Sequence, residues 1–446
     1  MILNPKVMSA VERLDYRVTP GDVATQAGID VKVAQQGLLA LATEAGGHLQ
    51  VSDMGEVAYV FPRQFRTILQ SKSLRLRLQQ AWQRVWNVLF YVIRISFGVM
   101  LIASIVLIML AIIAILIAMS SAGRSDDRGG GINLGGGRGG SGGLLWFSPN
   151  WFYIFSPGYG RRRRYAYGGT SRPMGRNTKG AVSKEDEMGF LEAVFSFLFG
   201  DGDPNADLEE RRWQAIATVI RNQGGAIAAE QVAPYLDVPP NPSDDEDYML
   251  PVLLRFNGSP EVSDDGQLIY RFPELQVTAK QAKTAPVAAY LKETLWKFSN
   301  ASSNQLTLAA GLGGVNLVGA IWLGFLLRDG WAAALGGLVG VAGGLYGVLI
   351  AYALGFVAIP LVRYLWVQRQ NQKLEARNTA RQDQAVRLNE ANPALQKKLA
   401  FARQFAAETV VKEDDLAYTS ERDLTEQELA QKDKTDQEWY RRLEGL

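Results

Sequence analysis

The chain has no cysteine and one histidine, His48, among its 446 residues. Without thiols it forms no disulfide, has no thiol nucleophile, and offers no thiolate to a zinc ion or an iron–sulfur cluster. A single imidazole does not build a multi-histidine metal centre within one chain. A bias of charge is missing too: 47 Lys and Arg face 45 Asp and Glu, a net charge of +2. No global electrostatic attraction to nucleic acid follows from that balance. The first residues, Met1 to Ala10, lack a basic stretch followed by an apolar one, so no secretory signal is expected, and they lack the Arg/Ser character of a transit peptide. These absences close most enzyme chemistries. The chain is expected to be non-enzymatic and to carry no cofactor.

Long apolar runs are what the chain does have, although its mean hydropathy is only −0.04. Ile95 to Met119 carries no charge and no polar face, and roughly 20 apolar residues suffice to cross a bilayer core. Ahead of it, Leu74–Arg94 sets Arg75, Arg77, Arg84 and Arg94 among Trp82, Trp86 and Tyr91, the pattern of a helix anchored at lipid headgroups. Gln305–Leu327 and Trp331–Val362 are separated only by Arg328, Asp329 and Gly330, which predicts a tight helical hairpin. Its longer arm must tilt or leave the membrane near Pro360. Small residues recur four apart: Gly336, Gly340 and Gly344, then Gly347, Ala351 and Gly355, with Ala310/Gly314 and Ala320/Gly324 in the first arm. Such stripes let backbones approach closely. The default reading is packing of the hairpin on itself; the alternative is a docking face for another membrane subunit. No acidic or basic side chain lies in either arm, and Asn316 is the polar exception, so an ion or proton pathway is not expected.

The soluble parts contain an internal match. Val51, Ser52, Asp53, Gly55, Tyr59, Phe61 and Pro62 coincide without a gap with Val262, Ser263, Asp264, Gly266, Tyr270, Phe272 and Pro273. Asp53-Met-Gly55 and Asp264-Asp-Gly266 read as turns between alternating strands. Helical periodicity precedes each: Val7–Tyr16, Val23–Ala27 capped by Thr19, and Val31–Glu44; then Leu208–Asn222, Ala228–Leu236, and a helix from Ser243 toward Phe256. Three short helices followed by a hairpin predict a winged helix in each copy. Charge then argues against DNA: six basic residues face seven acidic ones in 1–66, and five face twelve in 208–277. Protein-binding modules are the expectation.

Gly123–Gly143 is a Gly-rich linker, leading into the aromatic run Leu144–Phe155, which is too short to span as a helix and is broken by Pro149. Arg161, Arg162, Arg163 and Arg164 follow among tyrosines, either as a site for anionic lipid headgroups or as a solvated linker. Asp201, Asp203, Asn205 and Asp207 alternate as calcium-loop ligands do, but Ala206 replaces the turn glycine and Arg212 the bidentate Glu. We read that segment as turn and helix cap, and no metal site is expected. Three spans place the chain ends on opposite faces, which would send one module across the membrane without a signal peptide. A re-entrant pass by Leu144–Phe155 would keep both modules on one side.

Phe195–Asn205 (Phe-Ser-Phe-Leu-Phe-Gly-Asp-Gly-Asp-Pro-Asn), Arg212-Trp213, the duplicated hairpins and the span pattern resemble an uncharacterised membrane protein family of cyanobacteria and plant chloroplasts. The resemblance covers nearly the whole chain. Some plant members are named as an iron–sulfur cluster biosynthesis family, a role this cysteine-free chain has no thiolate to support. The resemblance implies a thylakoid, envelope or plasma membrane and supplies no catalytic residues. The expected architecture is a multi-domain α-helical membrane protein with two winged-helix-like α+β repeats and about three transmembrane helices. Its segments are a first module (1–70), an interfacial and first transmembrane helix (71–120), a linker (121–187), a second module (188–285), a transmembrane hairpin (286–362) and a charged helical tail (363–446). The expected function is a non-enzymatic membrane scaffold or assembly factor. It would bind membrane lipids and a protein partner or a second copy, with no identifiable small-molecule substrate. A membrane-tethered nucleic-acid-binding regulator and an accessory channel or transporter subunit are the alternatives.

Overall fold

The computed structural model describes residues 4–72, 74–122, 188–238, 246–281, 284–390, 392–412 and 416–427, with 429, 432 and 439. In chain order the first elements are α1 (Pro5–Arg13), β1 (Arg17–Val18), α2 (Pro20–Ala27), α3 (Val31–Ala45), β2 (His48–Ser52), β3 (Val57–Val60), α4 (Phe65–Lys72) and α5 (Leu74–Ala122). Then come α6 (Phe190–Phe199), α7 (Leu208–Asn222), β4 (Ala226–Ile227), α8 (Leu250–Phe256), β5 (Ser259–Val262), β6 (Leu268–Arg271), α9 (Pro273–Gln276) and β7 (Val277–Thr278). The chain continues with α10 (Ser303–Leu327), α11 (Gly337–Gly344), α12 (Tyr346–Asn389), α13 (Pro393–Gln404), β8 (Thr409–Val410) and β9 (Leu416–Thr419). The protein is mostly helical, and it divides into two compact units.

The first unit joins Met1–Ala81, Asp203–Leu295 and Asn371–Leu446. Its local signals are strong. Thr19 caps α2 with a reciprocal box: its hydroxyl accepts from the Asp22 N–H, and the Asp22 carboxylate accepts from the Thr19 N–H. Asp30 caps α3, which stops at Gly46. From α1 to β3 and from α7 to β6 the chain repeats the same hydrogen bonds. Ser52 N–H donates to Glu56 O and Ser263 N–H to Gln267 O, both at 2.9 Å, while each serine hydroxyl accepts from the N–H four residues on, both at 3.0 Å. Phe61 N–H reaches Tyr16 O and Phe272 N–H reaches Gly225 O, both at 2.8 Å. Gly47 and Gly258 each lie against the ring of the corresponding phenylalanine, Phe61 and Phe272.

Two differences separate the copies. The second helix of the later copy is a pair of 3-10 turns, Ala229–Gln231 and Ala233–Tyr235, because Pro234 lacks the N–H an α-helix needs there. The first copy also gains a fourth strand. Its sheet runs β1-β3-β2-β9, whereas the other stops at β4-β6-β5. Leu49 N–H in β2 faces outward and donates to the Ser420 hydroxyl beside β9. Its counterpart in β5 is Pro260, which has no such donor and blunts that edge.

The two copies share one core. Val23, Leu38 and Leu41 of the first and Ile216, Ile220, Val252 and Phe256 of the second are fully buried in it. Gly21 abuts the carbonyl of Glu274, where a side chain would have no room. The C-terminal segment, expected to be helical, also carries strands: β8 pairs with β7 and β9 with β2.

The second unit joins Trp82–Gly202 and Trp296–Gln370. Three helices are long and apolar enough to cross a membrane: Ala81–Ser121, Ser303–Leu327 and Tyr346–Asn389. The interfacial stretch and the first span are one continuous helix, α5. The second hairpin arm departs from expectation. Trp331–Val362 is not one helix, because Gly336 and Gly337 both take positive φ and a second break falls at Leu345, between α11 and α12. Pro360 lies inside α12, which runs on to Asn389. Membrane helices tolerate such a proline where neighbours re-satisfy the freed carbonyl. Helix α6, which the sequence placed in the later module, belongs to this unit and packs with Leu101, Ala309 and Phe356.

Candidate functional site

Part of the third helix of each copy is exposed. In α3 the exposed positions are Lys32, Val33, Gln35, Gln36, Leu39, Thr43 and Glu44. In α8 they are Leu250, Pro251 and Leu254. Counting back from the left-handed caps Gly46 and Asn257, Leu39 and Leu250 occupy the same position, and they are 54% and 58% exposed. Leu254 is 68% exposed one turn on. Only one exposed cation lies on these two faces together, Lys32, and Glu44 offsets it. A helix that reads DNA carries a cationic footprint for phosphate; the α3 face is largely polar and without net charge, the α8 face is apolar, and neither has that footprint.

Between the two copies lies a cleft of about 580 Å³, lined among others by Arg17, Asp22, Thr25, Gln214, Arg221 and Lys280. Its charges serve the seam. Arg221 Nη2 donates to Asp22 Oδ1 at 2.6 Å, and the other Asp22 oxygen accepts from the Thr19 and Ala279 amides. Arg17 donates to Gln50 Oε1 and to the Ala279 carbonyl, and Lys280 pairs with Asp15 at 2.7 Å. Thr25 and Thr218 donate back into their own helices. The cleft is polar, and Arg221, Lys280 and two of the three Arg17 nitrogens have acceptors within the protein, while Arg17 Nη2 is buried without one.

Sequence reasoning missed the anchors of the C-terminal segment. Arg381 is 2% exposed, donates to Asp237 and to the Leu291 carbonyl, and pairs with Glu293 at 3.0 Å. Arg377 forms a two-pronged bond to the same Glu293, at 2.8 and 2.6 Å. Burial acts to raise the Asp237 and Glu293 carboxyls, but the hydrogen bonds and charge of these arginines prevail and hold both below their ordinary values. Lys398 on α13 is likewise buried, donating to Glu230 at 3.0 Å and Glu246 at 2.5 Å. Tyr270 donates to the second Glu246 oxygen, and burial, reinforced by the Glu246 charge, pushes the Tyr270 and Tyr248 hydroxyls up. In sequence these residues sit in a run that reads as a solvated charged helix, so nothing marks them.

The segment 201–207 has its side chains engaged in separate places. Asp201 accepts from Arg94 at 2.7 Å, from the Ser196 hydroxyl and from the Asn300 amide. Gly200 lets the Arg363 guanidinium approach, and Arg363 donates to the carbonyls of Ser196 and Phe197 at the end of α6. Asp203 accepts from the Asn205 amide, Asn205 is bonded both ways to the Thr294 backbone, and Asp207 accepts from Arg211. Among the described residues no group of three or more metal-ligand side chains converges.

The small-residue stripe is mostly open. Gly336, Gly344, Gly347 and Ala351 are exposed, Gly340 and Gly355 half-buried, and a side chain added at Gly336, Gly344 or Gly347 would meet nothing. Packing of the hairpin on itself, the default reading, is therefore not what those three glycines do. Close approach falls to others. Gly313 lies against the ring of Phe356, Gly324 against Tyr346, and Gly98 against Leu191. Ala320 and Asn316 are fully buried, and Asn316 accepts from the Ser104 hydroxyl of α5 at 2.9 Å. Arg161–Arg164 and Leu144–Phe155 lie outside the described residues.

No family model matches the chain, and no solved structure matches it. A protein of Arabidopsis thaliana, described as an uncharacterised chloroplastic protein, is 39% identical over 464 residues, covering 99% of this chain and 82% of that protein. With such identity along nearly its whole length, the chain belongs to the same family as that chloroplastic plant protein.

Proposed function

We propose that this protein is a multi-pass integral membrane scaffold or assembly factor without enzymatic activity, resident in a thylakoid or envelope membrane. In this reading its two modules are duplicated winged helices turned from nucleic acid to protein. The observation that carries it is the pair of equivalent leucines, Leu39 and Leu250, exposed on third-helix faces without the cations that phosphate contacts require. The C-terminal segment, anchored to the later module and the chain just after it by Lys398 and Arg381, adds β9 to the sheet of the first and so joins the two modules as one platform. Arg161–Arg164 contact anionic headgroups, and the three long apolar helices, whose outer faces leave Ile117, Phe325 and Leu361 exposed, fix the platform in the bilayer.

The test is purification of the tagged full-length protein in mild detergent, beside a variant carrying Leu39→Asp and Leu250→Asp. A protein recovered in fixed stoichiometry with the wild type and lost from the variant is the expected result. Identical recovery from both sinks the proposal. So does a salt-sensitive shift of duplex DNA by the full-length protein, which would return the modules to nucleic acid.

A further inference from the structure

Helix α6 belongs to the second unit, and its contacts fix how it runs there. Leu191 in its first turn abuts Gly98 of α5, while the rings of Phe195 and Phe199 lie 5.8 and 4.9 Å from that of Phe97. Residues eight apart on α6 thus meet α5 at one level. Two helices running side by side would instead touch at points about 12 Å apart. The flanks of α6 agree. Met188, just before it, has its sulfur 3.9 Å from Arg94 Nη2, and Asp201, just after it, accepts from the same nitrogen at 2.7 Å. Helix α6 therefore crosses α5 steeply instead of following it.

The level of that crossing is marked by charge and by aromatic rings. Arg94, Gln305 and Arg363 hold the ends of α6, and each stands at the end of a charge-free apolar run. Beside Arg363, Trp296 meets Trp366 and Phe298 meets Tyr364, both edge-on. Trp and Tyr gather in this way where a membrane meets water. Gln305–Leu327 rises about 33 Å, close to the roughly 30 Å of hydrocarbon, which leaves Gln305 at one boundary. Phe190, Val194 and Leu198 of α6 share a buried cluster with Leu101 and Phe356. Those two lie seven residues, or about 10 Å, inward of Arg94 and Arg363.

We infer, on the membrane-spanning reading proposed above, that α6 lies in the plane of the membrane within one leaflet, and that its Phe195–Phe199 edge faces lipid acyl chains. Phe199 is 42% exposed and touches Phe97; Phe90, 49% exposed, lies edge-on to Phe195. The edge thus continues the apolar surface of α5. Helices that lie in a membrane plane sink their apolar face about 5–10 Å, the depth at which α6 packs. Hydrocarbon offers nothing to open backbone groups, and both ends of α6 are closed by side chains. Glu192, its one charged residue, turns back to accept from the Gly189 N–H at 3.3 Å, and Arg363 donates to the carbonyls of Ser196 and Phe197.

The chain has no cysteine, so a nitroxide label attaches only where one is introduced. Full-length Phe199→Cys is labelled in phosphatidylcholine vesicles beside two references. Met54→Cys, at a position 82% exposed in the first unit, reports water, and Val318→Cys, 66% exposed near the middle of α10, reports deep lipid. Collisions with dissolved oxygen and with a water-soluble nickel chelate are then compared. The label at 199 is expected to favour oxygen over nickel more than the label at 54 and less than the label at 318. Nickel access equal to that at 54, a depth equal to that at 318, or access to neither probe overturns the inference; the last would mean that protein covers the edge. The wild-type chain gives a second reading that needs no substitution. Phosphatidylcholine with a photoreactive group in its acyl chain is expected to leave adducts within 189–202, and adducts within 306–326 alone overturn the inference. If the label at 318 is itself open to nickel, the membrane-spanning reading fails, an outcome distinct from the others.

Discussion

Replacing Arg381 by alanine tests how the C-terminal segment is held. Arg381 is 2% exposed, and its guanidinium is shared between Asp237, Glu293 and the Leu291 carbonyl. Removing one member of a buried ion pair leaves the other desolvated and uncompensated, a loss of about 3–5 kcal/mol. Arg377 remains bonded to Glu293 in the variant, which places the expected loss near the lower end, about 3 kcal/mol. That is roughly a hundredfold rise in local opening, at about 1.4 kcal/mol per decade. Hydrogen exchange followed by mass spectrometry on the detergent-solubilised full chain reads it directly, in peptides from 371–412. Arg377→Ala is expected to do much less, about 1 kcal/mol, because its side chain is 44% exposed. Pairing Arg381→Met with Glu293→Gln should recover part of the protection, since the stranded charge is removed as well. Unchanged protection in Arg381→Ala would refute the buried-latch argument.

The same latch is acid-sensitive: Asp237 and Glu293 have depressed folded pKa values, so their stabilisation is present above the unfolded values and lost as pH falls through the folded ones. Exchange protection of 371–412 should hold at neutral pH and fall only below about pH 4; loss already at pH 6 would contradict that assignment. Asp22→Asn weakens a charge-assisted bond to Arg221 and the seam between the modules, by about 1.5–3 kcal/mol, read as a lower urea midpoint of the full chain. Gly313→Val forces the buried Phe356 ring out of place and should lower the thermal stability of the solubilised protein. Gly347→Val, facing open space, should be tolerated, and equal effects of the two would refute this packing.

What could be read from the chain was whatever short-range chemistry dictates. Thr19 at the start of α2 and the Asp-x-Gly turns of both hairpins each demand one local geometry, and each has it. Helix breaks were less legible. Pro234 replaces a helix by 3-10 turns, while Pro360 leaves one intact; the outcome depends on whether neighbouring groups re-satisfy the freed carbonyl, which is a matter of packing. The glycine stripe illustrates a second limit. Four-residue spacing identifies a face that permits close approach, but not whether anything approaches it: Gly313 meets Phe356 and Gly347 meets nothing. The buried arginine and lysine of the C-terminal segment were invisible because their partners, Glu293, Asp237, Glu230 and Glu246, lie far away in the chain. The matched leucines of the third helices could have been found by extending the hairpin repeat upstream, where Leu39 and Leu250 fall at the same offset.

The most direct test of the account is photocrosslinking in native membranes, with a photoreactive residue placed singly at Leu39 and at Leu250 of the full-length protein. Protein adducts of defined mass at both positions, absent when the probe sits at the buried Leu38, are the predicted result. Adducts to nucleic acid, or none at either leucine, would contradict the claim that these helices bind protein.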